Sequence, residues 1–271
     1  MLKDITLGQY FLGDTPAHRL DPRTKILLVV VYIAAVFCAK GPLSYGAMWV
    51  TLALCAATAR VSAKAMLRGL KPVVFIILFT GILNLFFTPG AVPEDYLFQW
   101  GVIHIARQGV TLAVSMVMRI MLLIMGTFLL TYTTSPIRLT DGLERLLNWM
   151  KRFRVPVHEL AMMMSIALRF IPTLIEETDK IMSAQKARGA DFESGSLFQK
   201  AKALLPVLVP LFISAFRRAD ELATAMECRC YHGGEGRTKL HILKYAGRDY
   251  IALLLGAAVL CGVAVLGRFG L

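Results

Sequence analysis

The stretch "VHELAMMMSIALRFIPTLIEETDKIMSAQKARG", residues 157–189, decides how much of the chain folds. It has no glycine before its last residue and a single proline, Pro172. Leu160, Met164, Ala167, Ile171, Leu174, Thr178 and Ile181 step alternately by four and three, the spacing of a heptad seam on one helix face. Glu176 and Lys180 fall four apart, placed to pair on the outer face. The spacing predicts a helix from Val157 to Ala187, roughly 45 Å long at 1.5 Å per residue. Pro172 is expected to bend it near the middle. The helix closes on a small-Arg-small sequence, Ala187-Arg188-Gly189, with Ala184 one turn earlier.

A second helix follows. In "ESGSLFQ" (193–199), Ser196 and Gln199 stand three apart as a capping box. Ala201, Leu205, Leu208, Phe212, Ala215, Ala219, Leu222 and Met226 offer a second seam, and Pro206 and Pro210 are expected to kink its apolar first half. It runs into "TAMECRCYHGGEGR" (224–237), where Cys228 and Cys230 flank Arg229 and Ala225 precede it by one turn. The glycines of "GGEGR" are expected to terminate this helix.

Outside this pair the chain is mostly apolar. The 271 residues are 56% hydrophobic and 18% charged, with a mean hydropathy of +0.61, too apolar for an ordinary soluble domain. A helix across ~30 Å of hydrocarbon needs roughly 20 apolar residues, with about 17 as the lower limit. Segments 43–59, 72–88, 108–133 and 250–267 meet that requirement. Segment 26–39 is short, but Lys25 and Lys40 are expected to snorkel to the headgroups. About five spans result, with one further apolar stretch at 203–216. The expected fold class is all-α: a polytopic membrane protein with about five transmembrane helices plus a pair of long cytoplasmic helices. Its parts are 1–133 (leading segment and four spans), 134–249 (cytoplasmic long-helix region) and 250–271 (last span).

Asp21 and Pro22 read as the N-cap and first turn of the first span, within "LDPRTK" (20–25). "ARVSAKAMLRGLKP" (59–72) reads as a short helix stopped by Pro72. "TPGAVPED" (88–95) reads as an outer loop. "MLKDITLGQYF" (1–11) lacks a sustained apolar core, so no cleavable signal peptide is expected and the first span directs insertion. Arg119 falls within the fourth span, where it either bonds backbone carbonyls inside the bundle or lines a transport path.

The net charge of +12 is distributed, not clustered for nucleic acid. Lys3, Arg19, Arg23 and Lys25 precede the first span, and Arg60, Lys64, Arg68 and Lys71 follow the second. The alternate loops carry only Lys40, Arg107 and Arg268. By the positive-inside rule the N-terminus and 134–249 face the cytoplasm and the C-terminus lies outside. Cys38, Cys55 and Cys261 sit in spans as small hydrophobes. Cys228 and Cys230 fall in the cytoplasmic region, where a stable disulfide is not expected.

Catalytic patterns fail on inspection. "HELAM" (158–162) has Met162 where a zinc-protease helix needs its second histidine. Cys228, Cys230 and His232 match no standard zinc spacing. "GGEGR" is not followed by Lys-Ser/Thr, so it is no phosphate loop, and no Gly-x-Ser-x-Gly occurs. No cofactor is implied. The arginines remain. Residues four apart share a helix face, so each arginine rises from a surface cleared of bulk by Ala184 or Ala225. A guanidinium offers five fixed donors and a permanent charge, suited to a carboxylate- or carbonyl-lined groove on a partner. A helix C-terminus also attracts a cation through its dipole, which would account for one such arginine. Two, matched at four positions on consecutive helices, favour docking.

"AQKARGADF" and "AMECRCYHGGEGRT", with "LDPRTK" before the first span, make the whole chain resemble the transmembrane T component of energy-coupling factor (ECF) transporters. Members carry Ala-Arg-Gly signatures at the ends of their coupling helices. Arg188 matches fully; around Arg229 both flanks are Cys, which is small but lacks glycine's freedom at positive φ. The resemblance implies a non-catalytic scaffold joining two ABC-type ATPases to a separate membrane S component that binds a vitamin or metal. It implies ATPase docking by Ala187, Arg188, Gly189, Cys228, Arg229 and Cys230, supported by Ala184 and Ala225. The different rims of the two arginines point to non-identical ATPases. The Met162–Met164 run would suit a sliding contact. The alternatives are a self-contained membrane transporter, which would favour inverted repeats with broken helices, and a membrane enzyme acting on a phosphorylated lipid, which would need an acid, base or metal set.

Overall fold

The computed structural model describes residues 10–11, 13–87, 96–100, 103–192, 194, 196–234 and 242–269. Its helices are α1 (Pro22–Cys38), α2 (Pro42–Ala59), α3 (Ala63–Leu70), α4 (Val74–Phe87), α5 (Arg107–Thr133), α6 (Pro136–Leu146), α7 (Val157–Ala187), α8 (Leu197–Glu227) and α9 (Gly247–Arg268). Between α4 and α5, strands β1 (Tyr96–Trp100) and β2 (Ile103–Ala106) pair antiparallel, a short ribbon in an otherwise helical chain. The loop expected at 88–95 and the opening segment up to residue 9 lie outside the described residues.

Six helices are long and apolar enough to cross a membrane: Pro42–Ala59, Ala63–Phe87, Arg107–Thr133, Val157–Ala187, Phe198–Glu227 and Gly247–Arg268. The chain is a polytopic membrane protein. α1, at 17 residues, sits at the lower limit of about 17. The set differs from the five expected spans because α7 and α8 also qualify by length and composition. The short helix expected within 59–72 is α3, which ends at Leu70, just ahead of Lys71 and Pro72. Pro72 sits in a 3₁₀ turn, Lys71–Val73, that carries α3 directly into α4. A proline in a first turn gives up no helical bond, so it both closes α3 and leads into α4.

Contacts divide the chain into two compact units, Gly8–Gly142 with Leu243–Leu271, and Leu143–Ile242. The first has a continuous apolar core, with Val36, Met48, Leu52, Leu70, Leu122 and Val263 almost wholly buried. Asp21 caps α1 through Arg23 N–H at 2.9 Å, as its sequence position predicts. It also pairs with the Arg23 side chain at 2.9 and 3.0 Å, and Arg23 stacks 3.9 Å over Tyr245. Asp249, 2% exposed, takes the Asp21 N–H on one oxygen and the Ala246 N–H on the other, both at 2.8 Å. The "LDPRTK" segment therefore fastens the start of α1 to the start of α9.

Lys25 does not snorkel. It is buried, and its ammonium donates to the carbonyls of Thr133 at 2.8 Å and His18 at 3.3 Å. Thr133 is the last residue of α5, where unpaired carbonyls and the dipole both attract a cation. Arg119 donates to the Ala39 carbonyl at 3.3 Å and the Tyr45 hydroxyl at 3.0 Å, pinning the turn between α1 and α2. That is the carbonyl-bonding role inside the bundle.

In the second unit α7 and α8 pair. Gln185 donates to the Pro206 carbonyl at 3.3 Å, while Glu177 accepts from Arg218 at 2.9 Å and from the Ser214 hydroxyl. Residue numbers rise along α7 as they fall along α8, so the pair is antiparallel. The face of α8 turned to α7 runs through Val207, Leu211, Ser214 and Arg218. In the first half of α8 the expected seam is displaced from it, with Leu205, Leu208 and Phe212 55%, 43% and 60% exposed, while its later positions Ala215, Leu222 and Met226 are half-buried. The first half of α8 is apolar all round, so periodicity cannot select a face there, and the polar tie through Glu177 does. On α7 the early seam positions Leu160 and Met164 are likewise exposed, while Val157 and Ala161 are buried. Glu176 and Lys180 are both exposed and, among the described residues, form no ion pair. Pro172 lies inside α7, and Pro206 and Pro210 inside α8, without interrupting them.

Candidate docking site

α7 ends in a Schellman motif. Gly189 takes φ +89°, its N–H bonds the Lys186 carbonyl at 3.0 Å, and the Ala190 N–H reaches back to Gln185 at 3.0 Å. Arg188 is the residue just before the left-handed position, with its own N–H on Ala184 and Gln185. α8 starts on the expected capping box, Ser196 with Gln199. Its end repeats the same motif with different residues. Cys230 takes φ +55°, its N–H bonds Glu227 at 2.8 Å, and the Tyr231 N–H reaches Met226 at 3.0 Å. Arg229 occupies the position of Arg188. The helix is thus ended by Cys230, and Gly233, at φ +100°, lies beyond the end it was expected to make. Residues 235–237 of that glycine stretch lie outside the described residues.

All eight residues singled out in the sequence are exposed: Ala184, Ala187, Arg188 and Gly189 at one end, Ala225, Cys228, Arg229 and Cys230 at the other. Among the described residues neither guanidinium has an ion-pair or hydrogen-bond partner.

The structure does not bring the two arginines together. Arg188 follows Gln185, which bonds near the start of α8; Arg229 lies beyond Arg218, toward the start of α7. Around that second end, a Cβ on Gly234 would come 2.4 Å from the His158 ring, one residue into α7, and His158 Nδ1 lies 3.0 Å from Glu144. The arginines therefore mark opposite ends of the pair, on the order of 40 Å apart along helices rising 1.5 Å per residue. The polar tie of Glu177 with Ser214 and Arg218 is the element that sequence reasoning missed. Its only signal was opposite charge on neighbouring helices, which fixes no register.

A bundle of apolar helices joined in one chain to an antiparallel pair with an exposed arginine at each end defines a polytopic membrane protein. The family described as "Cobalt transport protein" (CbiQ) matches residues 13–240. Relatives are similar over the whole length. The energy-coupling factor transporter transmembrane protein EcfT of Acidaminococcus fermentans is 53% identical, covering 100% of this chain and 99% of its own. The EcfT proteins of Clostridium kluyveri (53%, 99% and 98%) and Bacillus subtilis (46%, 96% and 98%) are similar as well. The chain belongs to this family, the transmembrane components of energy-coupling factor transporters, and is a transporter subunit.

Proposed function

We propose that the chain is the scaffold through which two cytoplasmic ATPases drive a separate substrate-binding membrane protein, with Arg188 docking one ATPase and Arg229 the other. The observation that carries this reading is the repeated cap: at each end of an antiparallel pair, one exposed arginine with no partner among the described residues. ATP-driven closure of the ATPases draws the two docked ends, and the helices carry that motion to the substrate-binding partner. The polar tie at Glu177 makes the pair move as one body. The exposed apolar side of α8, with Leu205, Val209, Phe212 and Phe216, offers that partner a greasy contact. ATP hydrolysis falls to the ATPases, and the substrate, a vitamin or a metal, is selected on the partner chain.

In this reading 134–249 faces the cytoplasm and the C-terminus lies outside. A cysteine placed at position 195 should be labelled from the cytoplasmic side only; labelling confined to the outside would overturn the topology and the docking together. The sharper test is co-purification of the ATPases with the double variant Arg188→Ala/Arg229→Ala. Both ATPases should be lost and ATP-dependent uptake abolished. Retention of both with normal uptake would reduce the arginines to helix-end cations.

A further inference from the structure

A groove of about 610 Å³ runs down the bundle, with an almost wholly apolar lining from α1, α2, α5 and α9. Its volume lies within the ~300–1,000 Å³ of small-molecule pockets. The charged groups gather at one end. Lys25 and Arg248 line it there, with Thr58 and Thr133. α1 and α9 run in the same direction: Asp21 bonds Asp249, Gly256 faces Leu28, and Gly267 faces Cys38. The groove can therefore be followed downward along both helices, from Lys25 to Ala35 and from Arg248 to Val259. At 1.5 Å per residue that is about 15 Å. A bilayer's hydrocarbon is ~30 Å thick, so the groove is one leaflet deep.

Among the described residues neither cation at the mouth forms an ion pair. Arg248 is exposed, and among the described residues it has no ion-pair or hydrogen-bond partner. Lys25 is buried, spends two donors on backbone carbonyls, and among the described residues has no carboxylate within ion-pairing distance. An ammonium has three donors, so one is left over. A buried, unpaired cation is costly unless an anion completes it.

We propose that this groove is a binding site for an anionic phospholipid, one acyl chain lying along α1 and α9 and the phosphate held by Arg248 and Lys25. Basic pockets between membrane helices recognise anionic headgroups through this combination of charge at the headgroup level and apolar depth below it. The site is independent of the arginine-tipped helix ends.

The test is native mass spectrometry of the full chain released from nanodiscs. The nanodiscs contain phosphatidylglycerol or phosphatidylcholine with identical acyl chains. One phosphatidylglycerol per chain should be retained, favoured over phosphatidylcholine by about fivefold or more, the worth of a single cation near a headgroup. Arg248→Glu, an exposed change, should bring phosphatidylglycerol down to the phosphatidylcholine level. Ala252→Trp, which fills the groove, should lower both lipids to background, while Val50→Trp, exposed and outside the groove, should change neither. Thermal melting of each variant shows that it is folded, and Arg248→Glu alone decides if Ala252→Trp melts early. Equal retention of the two lipids by the unaltered chain would overturn the proposal. So would undiminished retention in Arg248→Glu, or displacement of the lipid by glycerophosphoglycerol, which has the headgroup and no chains.

Discussion

At the end of α7 the left-handed residue is Gly189, with φ +89°; at the end of α8 it is Cys230, with φ +55°. The hydrogen bonds around them are the same pair, from the left-handed residue and its successor back to the last turn. The two caps share their geometry and differ in its cost. Glycine populates positive φ freely, whereas a residue with a Cβ gives up ~1–2 kcal/mol there. A strained cap persists only where its surroundings hold it. What is common to both ends is the seat of the arginine, exposed and immediately before the left-handed residue that turns the chain away. What differs is the rim: Lys186 and Asp191 stand near Arg188, Glu227 and Tyr231 near Arg229.

The arginines themselves give the largest expected difference. Removing one partner of a buried, charge-assisted contact typically costs ~2–5 kcal/mol. At 1.4 kcal/mol per tenfold, that is about twentyfold or more in the affinity of one docking site. Arg188→Ala should loosen one ATPase and Arg229→Ala the other, with uptake impaired in each, because both ends must be gripped for motion to pass along the pair. Pull-downs that resolve the two ATPases, made on each single variant, read this directly. If both variants loosened the same ATPase, the two ends would serve a single groove and the rims would carry no partner choice.

Much of this architecture is legible in the residues. The bounds of α7, the Ser196 cap of α8 and the Asp21 cap of α1 all follow from periodicity and capping chemistry, which act over one turn. Long-range polar choices do not. Nothing local says that Lys25 turns inward to the Thr133 carbonyl, because the attraction comes from a helix end 108 residues away. Nor does spacing show that α8 presents Val207 and Ser214 to α7 in preference to Leu205 and Phe212. The tie to Glu177 decides that, and it belongs to the pair. The arginines could be named from sequence, but their placement at opposite ends follows only from the antiparallel pairing.

A second expected difference separates the caps by substitution to valine. At Gly189 a Cβ would meet no atom within 4 Å, so any penalty there is conformational. Gly189→Val installs a β-branched side chain at positive φ and should cost ~1–2 kcal/mol of the local cap. Cys230 already carries a Cβ, so Cys230→Val should cost less. Amide exchange of Gly189 and Ala190, compared with that of Cys230 and Tyr231, measures both. The arginine-docking readout should follow the cap, falling further in Gly189→Val. Equal losses at the two ends would mean that Cys230 is not strained.

The smallest expected effect runs in the opposite direction. Cys230→Gly removes the ~1–2 kcal/mol penalty of a Cβ in the left-handed region. It also adds glycine's unfolded-chain entropy, worth ~0.4–1 kcal/mol against the fold. The first term is larger, so the cap should gain ~0.5–1 kcal/mol. Exchange of the Cys230 and Tyr231 amides, both bonded to the last turn of α8, should then slow by roughly two- to fivefold, at 1.4 kcal/mol per tenfold. Cys230→Ser keeps the Cβ and should show no such gain, which separates backbone relief from the loss of the thiol. Arg229 keeps its seat in both variants, so ATPase retention should be unchanged. Faster exchange in Cys230→Gly would show that the cysteine side chain contributes contacts worth more than the strain, and the two caps would then differ in kind.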